Sequence, residues 1–94
     1  YDIYSVGCVM FELLTGKPPY RHRELERVLE MHLSQPVPEL VVANGSVPAK
    51  LSEVVRKCLA KSAADRYQNM AELEVALCEA QVEAKLRTTW DDLP

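Results

Sequence analysis

Three cysteines and two histidines are the side chains best suited to metal or redox chemistry, and their spacing decides whether they can perform it. Cys8, Cys58 and Cys78 lie far apart, and no C-x-x-C or H-x3-H spacing connects them with His22 or His32. Zinc sites and small disulfide frameworks depend on such spacings. Because each cysteine stands among apolar residues at helical spacing, we predict reduced, buried thiols and neither a metal site nor a redox site.

Three other residues could serve a structural purpose. Asp2 precedes a helical pattern, where a carboxylate is favoured by the helix dipole and accepts backbone N–H groups. Arg66 lies in a charged turn, where a lone arginine is usually solvated, although its guanidinium could also grip a carboxylate with two hydrogen bonds. Gly7 lies inside a helical pattern and costs about 1 kcal/mol relative to alanine, which is tolerable where another backbone passes close by.

Four helical patterns would position these residues. Residues 2–14 are apolar nearly all round, which is typical of a buried central helix, and Gly16 followed by Pro18-Pro19 predicts that this helix ends near Leu14 or Thr15. Residues 23–33 are more polar, and residues 49–60 repeat apolar residues at i, i+3, i+4, i+7 and i+8 along one face. Between them, residues 34–48 hold three prolines and an Asn-Gly pair, which predict a long loop. The narrow apolar stripe of the second pattern consists of Leu25, Val28, Leu29 and His32.

The fourth helix begins after Asn69, which we expect to cap it together with Glu72. We expect this helix to fray near Arg87. The predicted organisation is therefore a domain over residues 1–87, followed by the start of a linker or tail at residues 88–94. The predicted fold class is all-α with four helices, because the best strand candidate, Leu40-Val41-Val42, is too short to trust.

Composition excludes several functional classes. The chain of 94 residues is 48% hydrophobic and 27% charged, a globular balance. Its net charge of -3 and the lack of a basic run give no electrostatic basis for contact with nucleic acid or an anionic membrane. No apolar run reaches the roughly 18 residues of a membrane span. Because Tyr1 opens directly into a helical pattern, we expect a segment of a longer cytoplasmic protein, which could carry a membrane anchor elsewhere.

Two motifs resemble one family. Residues 2–7 read D-I-Y-S-V-G and residues 11–20 read F-E-L-L-T-G-K-P-P-Y. They resemble the central helix of the protein kinase C-lobe and the loop after it, D-x-[WY]-S-x-G and E-[ML]-L-[TS]-G-x-P-P-[FY]. Residues 59–68 read L-A-K-S-A-A-D-R-Y-Q and, with A-E-L at 71–73, resemble the family's turn between its last two helices. The R-Y-Q ending and the P-V-P at 36–38 are most similar to bacterial-type serine/threonine kinases.

The resemblance covers about residues 1–80 and lacks the family's catalytic parts. The sequence contains no G-x-G-x-x-G, V-A-I-K, H-R-D or D-F-G, the motifs that bind phosphates and magnesium and carry the catalytic aspartate, and it contains no A-P-E. The resemblance implies a parent kinase that uses ATP and Mg and acts on protein substrates. It also implies that this chain alone is inactive and binds no cofactor. Ser62-Ala63 replaces the family's usual Asp-Pro, which predicts a looser turn.

The resemblance also assigns scaffold roles to three residues. Asp2 matches the acid that accepts hydrogen bonds from the catalytic loop, and Gly7 matches a position that packs near that loop. Arg66 matches the arginine that pairs with the glutamate of A-P-E in the activation segment. The implied partner is the rest of the kinase domain, so we expect Asp2 and Arg66 to be unpaired and exposed in this chain.

A second interpretation stays open. The chain could be a helical interaction module or pseudokinase remnant without catalysis, binding a partner through the exposed side of its first helix. Intact H-R-D and D-F-G motifs upstream of Tyr1 would favour the kinase, and degraded ones the binding protein. On either interpretation three helices are too few to cover the first one, so we expect unusual exposure at Cys8, Met10 or Phe11.

Overall fold

The computed structural model describes the backbone of residues 2–42 and 45–92 and the side chains of residues 2–40 and 47–82. Within these residues, the predicted all-α class with four helices is confirmed. The α-helices are α1 (Ile3–Thr15), α2 (Leu25–Ser34), α3 (Ala49–Cys58) and α4 (Met70–Asp92). A short 3-10 turn, Ala63–Asp65, lies between α3 and α4.

A minimal antiparallel hairpin interrupts the loop between α2 and α3. It consists of β1 (Val41–Val42) and β2 (Gly45–Ser46), with Val41 opposite Ser46. The strand candidate rejected from the sequence is therefore partly a strand. A strand of two residues is too short to show the period-2 pattern by which strands are recognised in a sequence.

Local signals fix the two ends of α1 as predicted. Asp2 has extended backbone angles, and its carboxylate accepts the N–H of Tyr4 at 2.9 Å, as an N-cap does. At the other end Gly16 has φ +82°, and its N–H donates to the carbonyl of Glu12 at 2.8 Å. A residue with a Cβ rarely adopts that conformation, so glycine ends the helix at the expected position.

Helix α3 is the central element of the packing, because it contacts α1 on one side and α4 on the other. The side chains with the least exposure lie on α3, at its C-cap and on α4. Two apolar clusters meet along α3, one shared with Ile3 and Leu73 and the other shared with Phe11 and Leu40. The four largest fully buried side chains are Leu59, Leu73, Val55 and Cys58.

Only one stripe of α1 is covered, at Ile3, Gly7 and Phe11, which recur every four residues. The predicted incomplete cover of this helix is present, but at other positions than expected. Cys8 and Met10 are half-buried and Phe11 is buried, whereas the exposed large side chains of α1 are Val9 and Leu13. The reason is that α3 is the helix that contacts α1 most extensively, and one neighbour covers one face.

The described part of α4 begins as predicted and continues further than predicted. The Asn69 side chain accepts the N–H of Glu72 at 2.9 Å, and the Glu72 carboxylate accepts the N–H of Gln68 at 2.8 Å. Instead of fraying near Arg87, the helix continues to Asp92. The domain boundary proposed at residue 87 stays a prediction. Among the described helices, none is long and apolar enough to cross a membrane.

Candidate functional site

The three residues assigned as scaffold lie along α1 and in the turn after α3, and Asp2 is the most accessible of them. It is exposed, and its carboxylate is used within its own helix, by the Tyr4 N–H and more weakly by the Ser5 hydroxyl at 3.4 Å. The N-cap interpretation of this residue is therefore correct for this chain. A carboxylate has about four acceptor positions, so Asp2 retains capacity for further donors.

Gly7 is buried because α3 packs directly against the backbone of α1 at this position. A Cβ built on Gly7 would lie 2.7 Å from the Cβ of Cys58 and 3.1 Å from a methyl carbon of Leu59. Carbon atoms do not approach to 2.7 Å without displacement, so the closest approach of α1 to α3 requires glycine. The structure thus supplies a reason for Gly7 inside the chain, in addition to the catalytic-loop contact implied by the resemblance.

Arg66 differs from the expectation of an unpaired, exposed side chain. It is half-buried, and its Nε donates to the carbonyl of Ala60 at 2.7 Å while Nη2 donates to the carbonyl of Lys61 at 3.3 Å. Its guanidinium also stacks over the Tyr4 ring, 4.7 Å from the centroid. These contacts bind the turn to the end of α3 and to α1. The looser turn predicted from Ser62-Ala63 stays a prediction.

Tyr4 connects this arginine to α2, a contact that the sequence did not reveal. The Tyr4 hydroxyl lies 2.7 Å from His32 Nδ1, and the two rings meet edge to face at 5.6 Å. Burial raises the pKa of the Tyr4 phenol to about 12, while Arg66 acts in the opposite direction. The phenol therefore stays protonated near neutral pH, and the tautomer of His32 decides which of the two side chains donates in this hydrogen bond.

A second tyrosine and a lysine complete this polar cluster. The Tyr20 ring meets the His32 ring edge to face at 4.8 Å, and its hydroxyl donates to the carbonyl of Gln35 at 2.9 Å. Lys61 Nζ donates to the Tyr20 hydroxyl at 2.8 Å and to the carbonyl of His32 at 2.9 Å. We call Tyr4, Tyr20, His32, Lys61 and Arg66 the aromatic–cation cluster.

The cysteines match their prediction only in part. Cys58 is fully buried, and burial raises the pKa of its thiol to about 11. Cys8 is half-buried, and burial and then the nearby Asp2 carboxylate raise its pKa. Cys78 is exposed, contrary to the prediction, because it lies on the side of α4 that carries the exposed Val75 and Val82, not on the side of the buried Leu73 and Ala80. All three are free thiols.

Among residues 2–40 and 47–82, no three histidine, cysteine or acidic side chains come together to form a metal site. What the fold does bring together is the two sequence motifs. Arg66 of the second motif stacks on Tyr4 of the first, and Gly7 of the first motif contacts Leu59 of the second. These contacts join segments about 60 and 50 residues apart, and they set the candidate site at the N-terminal half of α1.

Comparison of the sequence with known proteins identifies relatives of this chain. The chain is 40% identical over 80 residues to "Serine/threonine-protein kinase PknD" of Mycobacterium tuberculosis, and 37% identical over 79 residues to "Serine/threonine-protein kinase PknH" of Mycobacterium bovis. The chain is related to the serine/threonine protein kinases. Both alignments cover 84% of this chain, but only 12% of PknD and 13% of PknH, so it spans about an eighth of these relatives.

Two further findings qualify that relationship. A third relative, "Hybrid signal transduction histidine kinase G" of Dictyostelium discoideum, is 43% identical over 68 residues, which are 72% of this chain and 2% of that protein. No protein-family model matches the chain. The similarity to serine/threonine kinases confirms the resemblance seen in the two motifs, and the small share covered fits a segment of a kinase.

Proposed function

We propose that this chain is the helical scaffold at the end of a kinase C-lobe, which supports the catalytic loop and the activation segment of an ATP-dependent serine/threonine protein kinase. The observation that carries the proposal is the stacking of Arg66 on Tyr4 at 4.7 Å. Tyr4 belongs to the first kinase-like motif and Arg66 to the second, so this contact joins the two motifs in space. It supports the assignment of both motifs to one kinase-like fold.

In this proposal Asp2 and Arg66 receive charged or polar partners from the rest of the kinase. Within the described part of the chain, neither residue forms an ion pair. Asp2 would accept backbone N–H groups of the catalytic loop, and Arg66 would bind the glutamate of A-P-E. Both contacts would hold groups still around the reacting phosphate, and electrostatic stabilisation of a transition state depends on such preorganisation.

Arg66 is suited to that task because its position is already fixed from two sides. Two backbone carbonyls bind one edge of the guanidinium, and the Tyr4 ring covers one of its faces. Arginine has five N–H donors in a rigid plane, so donors remain for a carboxylate after these two bonds. A guanidinium held in this way loses little further conformational entropy on binding a glutamate.

Phosphoryl transfer itself would rest on the remainder of the protein. ATP, Mg, the catalytic aspartate and the protein substrate all require motifs that this sequence does not contain. We therefore propose that the chain alone has no kinase activity and that its partner is the rest of the kinase domain. In a pseudokinase remnant the same scaffold would support binding without turnover.

The test is to replace Arg66 in the complete protein that carries the chain. Arg66→Ala should lower turnover at least tenfold and reduce stability by about 3–5 kcal/mol, because a buried glutamate would lose its partner. Arg66→Lys should recover only part of the turnover, since an ammonium cannot make the planar fork. The measurements are turnover on a protein substrate, well below the melting temperature, and the melting temperature of each variant.

Arg56→Ala is the matched control. Arg56 also donates to two carbonyls, of Val37 and Pro38, but through long bonds of 3.5 and 3.4 Å, and it is exposed. Its loss should change turnover less than twofold. Equal effects of Arg66→Ala and Arg56→Ala would contradict the scaffold role of Arg66. A complete wild-type protein without any turnover would favour the pseudokinase remnant.

A further inference from the structure

The polar contacts of α2 converge on one residue near its C-terminus. No residue of α2 is buried, and its three leucines are more than half exposed. His32 is held through both its side chain and its main chain. Its Nδ1 lies 2.7 Å from the Tyr4 hydroxyl, and its carbonyl accepts the Lys61 ammonium at 2.9 Å. These two contacts join α2 to α1 and to the turn after α3.

Both contacts of His32 lead to the same guanidinium. The Tyr4 ring stacks against Arg66, with Cζ 4.7 Å from the ring centroid. The Lys61 carbonyl accepts Arg66 Nη2 at 3.3 Å. A closed circuit of contacts is thus formed by four residues from three parts of the fold: His32, Tyr4, Arg66 and Lys61. Arg66 is connected to α2 by two routes, one through Tyr4 and one through Lys61.

The first route acts on the face of the guanidinium. A tyrosine ring turns about two side-chain torsions, and the contact at the hydroxyl of Tyr4 restricts both. The restriction is the same whether Tyr4 or His32 donates, because the two atoms stay in contact in either case. The restrained ring presents a fixed face, on which the guanidinium stacks. Loss of the His32 ring would leave Tyr4 with its apolar packing alone and widen the range of orientations open to Arg66.

The second route acts on the edge of the guanidinium. The Lys61 ammonium also donates to the Tyr20 hydroxyl at 2.8 Å, so this flexible side chain is fixed at its far end. Its anchored stem holds the backbone whose carbonyl accepts Arg66 Nη2. The bond from Arg66 Nε to the carbonyl of Ala60, at 2.7 Å, involves no residue of α2. Loss of either route should therefore reorient Arg66 without releasing it.

We propose that His32 and Lys61 are positioning residues, through which α2 sets the orientation of the Arg66 guanidinium. This coupling follows from contacts within the chain and does not depend on the kinase assignment. Its consequence for turnover rests on the proposed function, in which the oriented guanidinium binds the glutamate of A-P-E. A change at α2 would then alter the anchorage of the activation segment without touching that segment.

The test is NMR of the Arg66 Nε–H group in the complete protein. Its chemical shift reports the nearby Tyr4 ring, and its hydrogen exchange reports how firmly the group is held. His32→Leu removes the contact with Tyr4, and Lys61→Met removes the contact with the His32 carbonyl. Each variant should shift the Arg66 signal and raise its exchange rate several-fold, while the amide protection of α3 stays constant. His32→Asn restores a polar atom near the Nδ1 position and should recover much of the wild-type signal.

His22→Leu is the matched control, because His22 is exposed and accepts the N–H of Glu24, before α2 begins. It should leave the Arg66 signal unchanged. An unchanged Arg66 signal in both His32→Leu and Lys61→Met would overturn the proposal, and so would an equal response in His22→Leu. If one variant unfolds, the loss of protection in α3 reveals it, and the other route still decides.

Turnover on a protein substrate separates this coupling from the proposed function. His32→Leu should lower turnover about threefold, and it should have no further effect in a protein that carries Arg66→Ala, because both changes act through one guanidinium. An equal loss from His32→Leu with and without Arg66 would contradict the positioning role. If Arg66→Ala leaves turnover unchanged, the scaffold function is wrong, whereas a shifted Arg66 signal in His32→Leu still supports the coupling.

Discussion

The two ten-residue helices α2 and α3 show two ways of holding an amphipathic helix on one fold. Buried side chains on α3 include Val54, Val55 and Cys58, and its C-cap Leu59 has no exposed surface. On α2 no side chain is buried. Helix α3 is fixed by apolar burial on two sides, whereas α2 is fixed by hydrogen bonds and ring contacts near its C-terminus. An apolar stripe in a sequence therefore does not reveal whether it is covered.

Leucine truncation gives the largest expected effect and tests this comparison directly. Leu59→Ala should lower the free energy of unfolding by about 2–5 kcal/mol, because it removes a fully buried side chain and leaves a cavity. Leu29→Ala makes the same chemical change on α2, where the leucine is 56% exposed, and should cost less than about 0.5 kcal/mol. The measurement is denaturant unfolding of the complete protein. Similar costs for both would mean that α2 is covered by apolar contact after all.

The Gly7 contact gives the next largest effect. Gly7→Val should lower the free energy of unfolding by about 2–3 kcal/mol, because its Cβ meets the Cβ of Cys58 and the side chain must force α1 and α3 apart. Glu12→Val adds the same branched residue to an exposed position of α1 and controls for helix propensity. Denaturation midpoints that are equal for the two variants would show that α1 and α3 tolerate separation.

Local features of this fold were predictable from the sequence. The glycine end of α1 at Gly16 and the cap of α4 at Asn69 were both predicted, because caps and left-handed glycines act within one turn of chain. The class and the relationship to kinases followed from the helical spacing and two motifs. The sequence also predicted that α1 would be incompletely covered, although not which residues would be exposed.

The rest depends on contacts between distant residues, which no local pattern encodes. Tyr4 and His32 are separated by 28 positions, and Lys61 and Tyr20 by 41. His32 had been placed in an apolar stripe, because its spacing is helical and its hydrogen bond is invisible in the sequence. Cys78 was wrongly expected to be buried for a related reason, since the sequence of α4 does not specify which of its apolar residues face α3.

The smallest predicted effect concerns Lys61, which joins the two regions. Its ammonium binds the carbonyl of His32 in the last turn of α2, where a cation is favoured by the helix dipole. Lys61→Met retains the apolar stem but not the charge, so it should destabilise α2 by about 1 kcal/mol and leave α3 nearly unchanged. The measurement is amide exchange of Leu25–Ser34 against Ala49–Cys58.

Lys50→Met is the control, because Lys50 is exposed on α3 and within the described residues makes no side-chain hydrogen bond. Removal of the Lys61 charge should also raise the pKa of His32, since that ammonium now opposes protonation of the ring. The stability of α2 and the pKa of His32 distinguish two ways in which Lys61 could support this helix. A weakened α2 with an unchanged His32 pKa would mean that Lys61 acts as a helix cap alone, whereas a change in both would mean that it also sets the charge of the imidazole. Loss of protection in α3 as great as in α2 would contradict the view that the two helices are held independently.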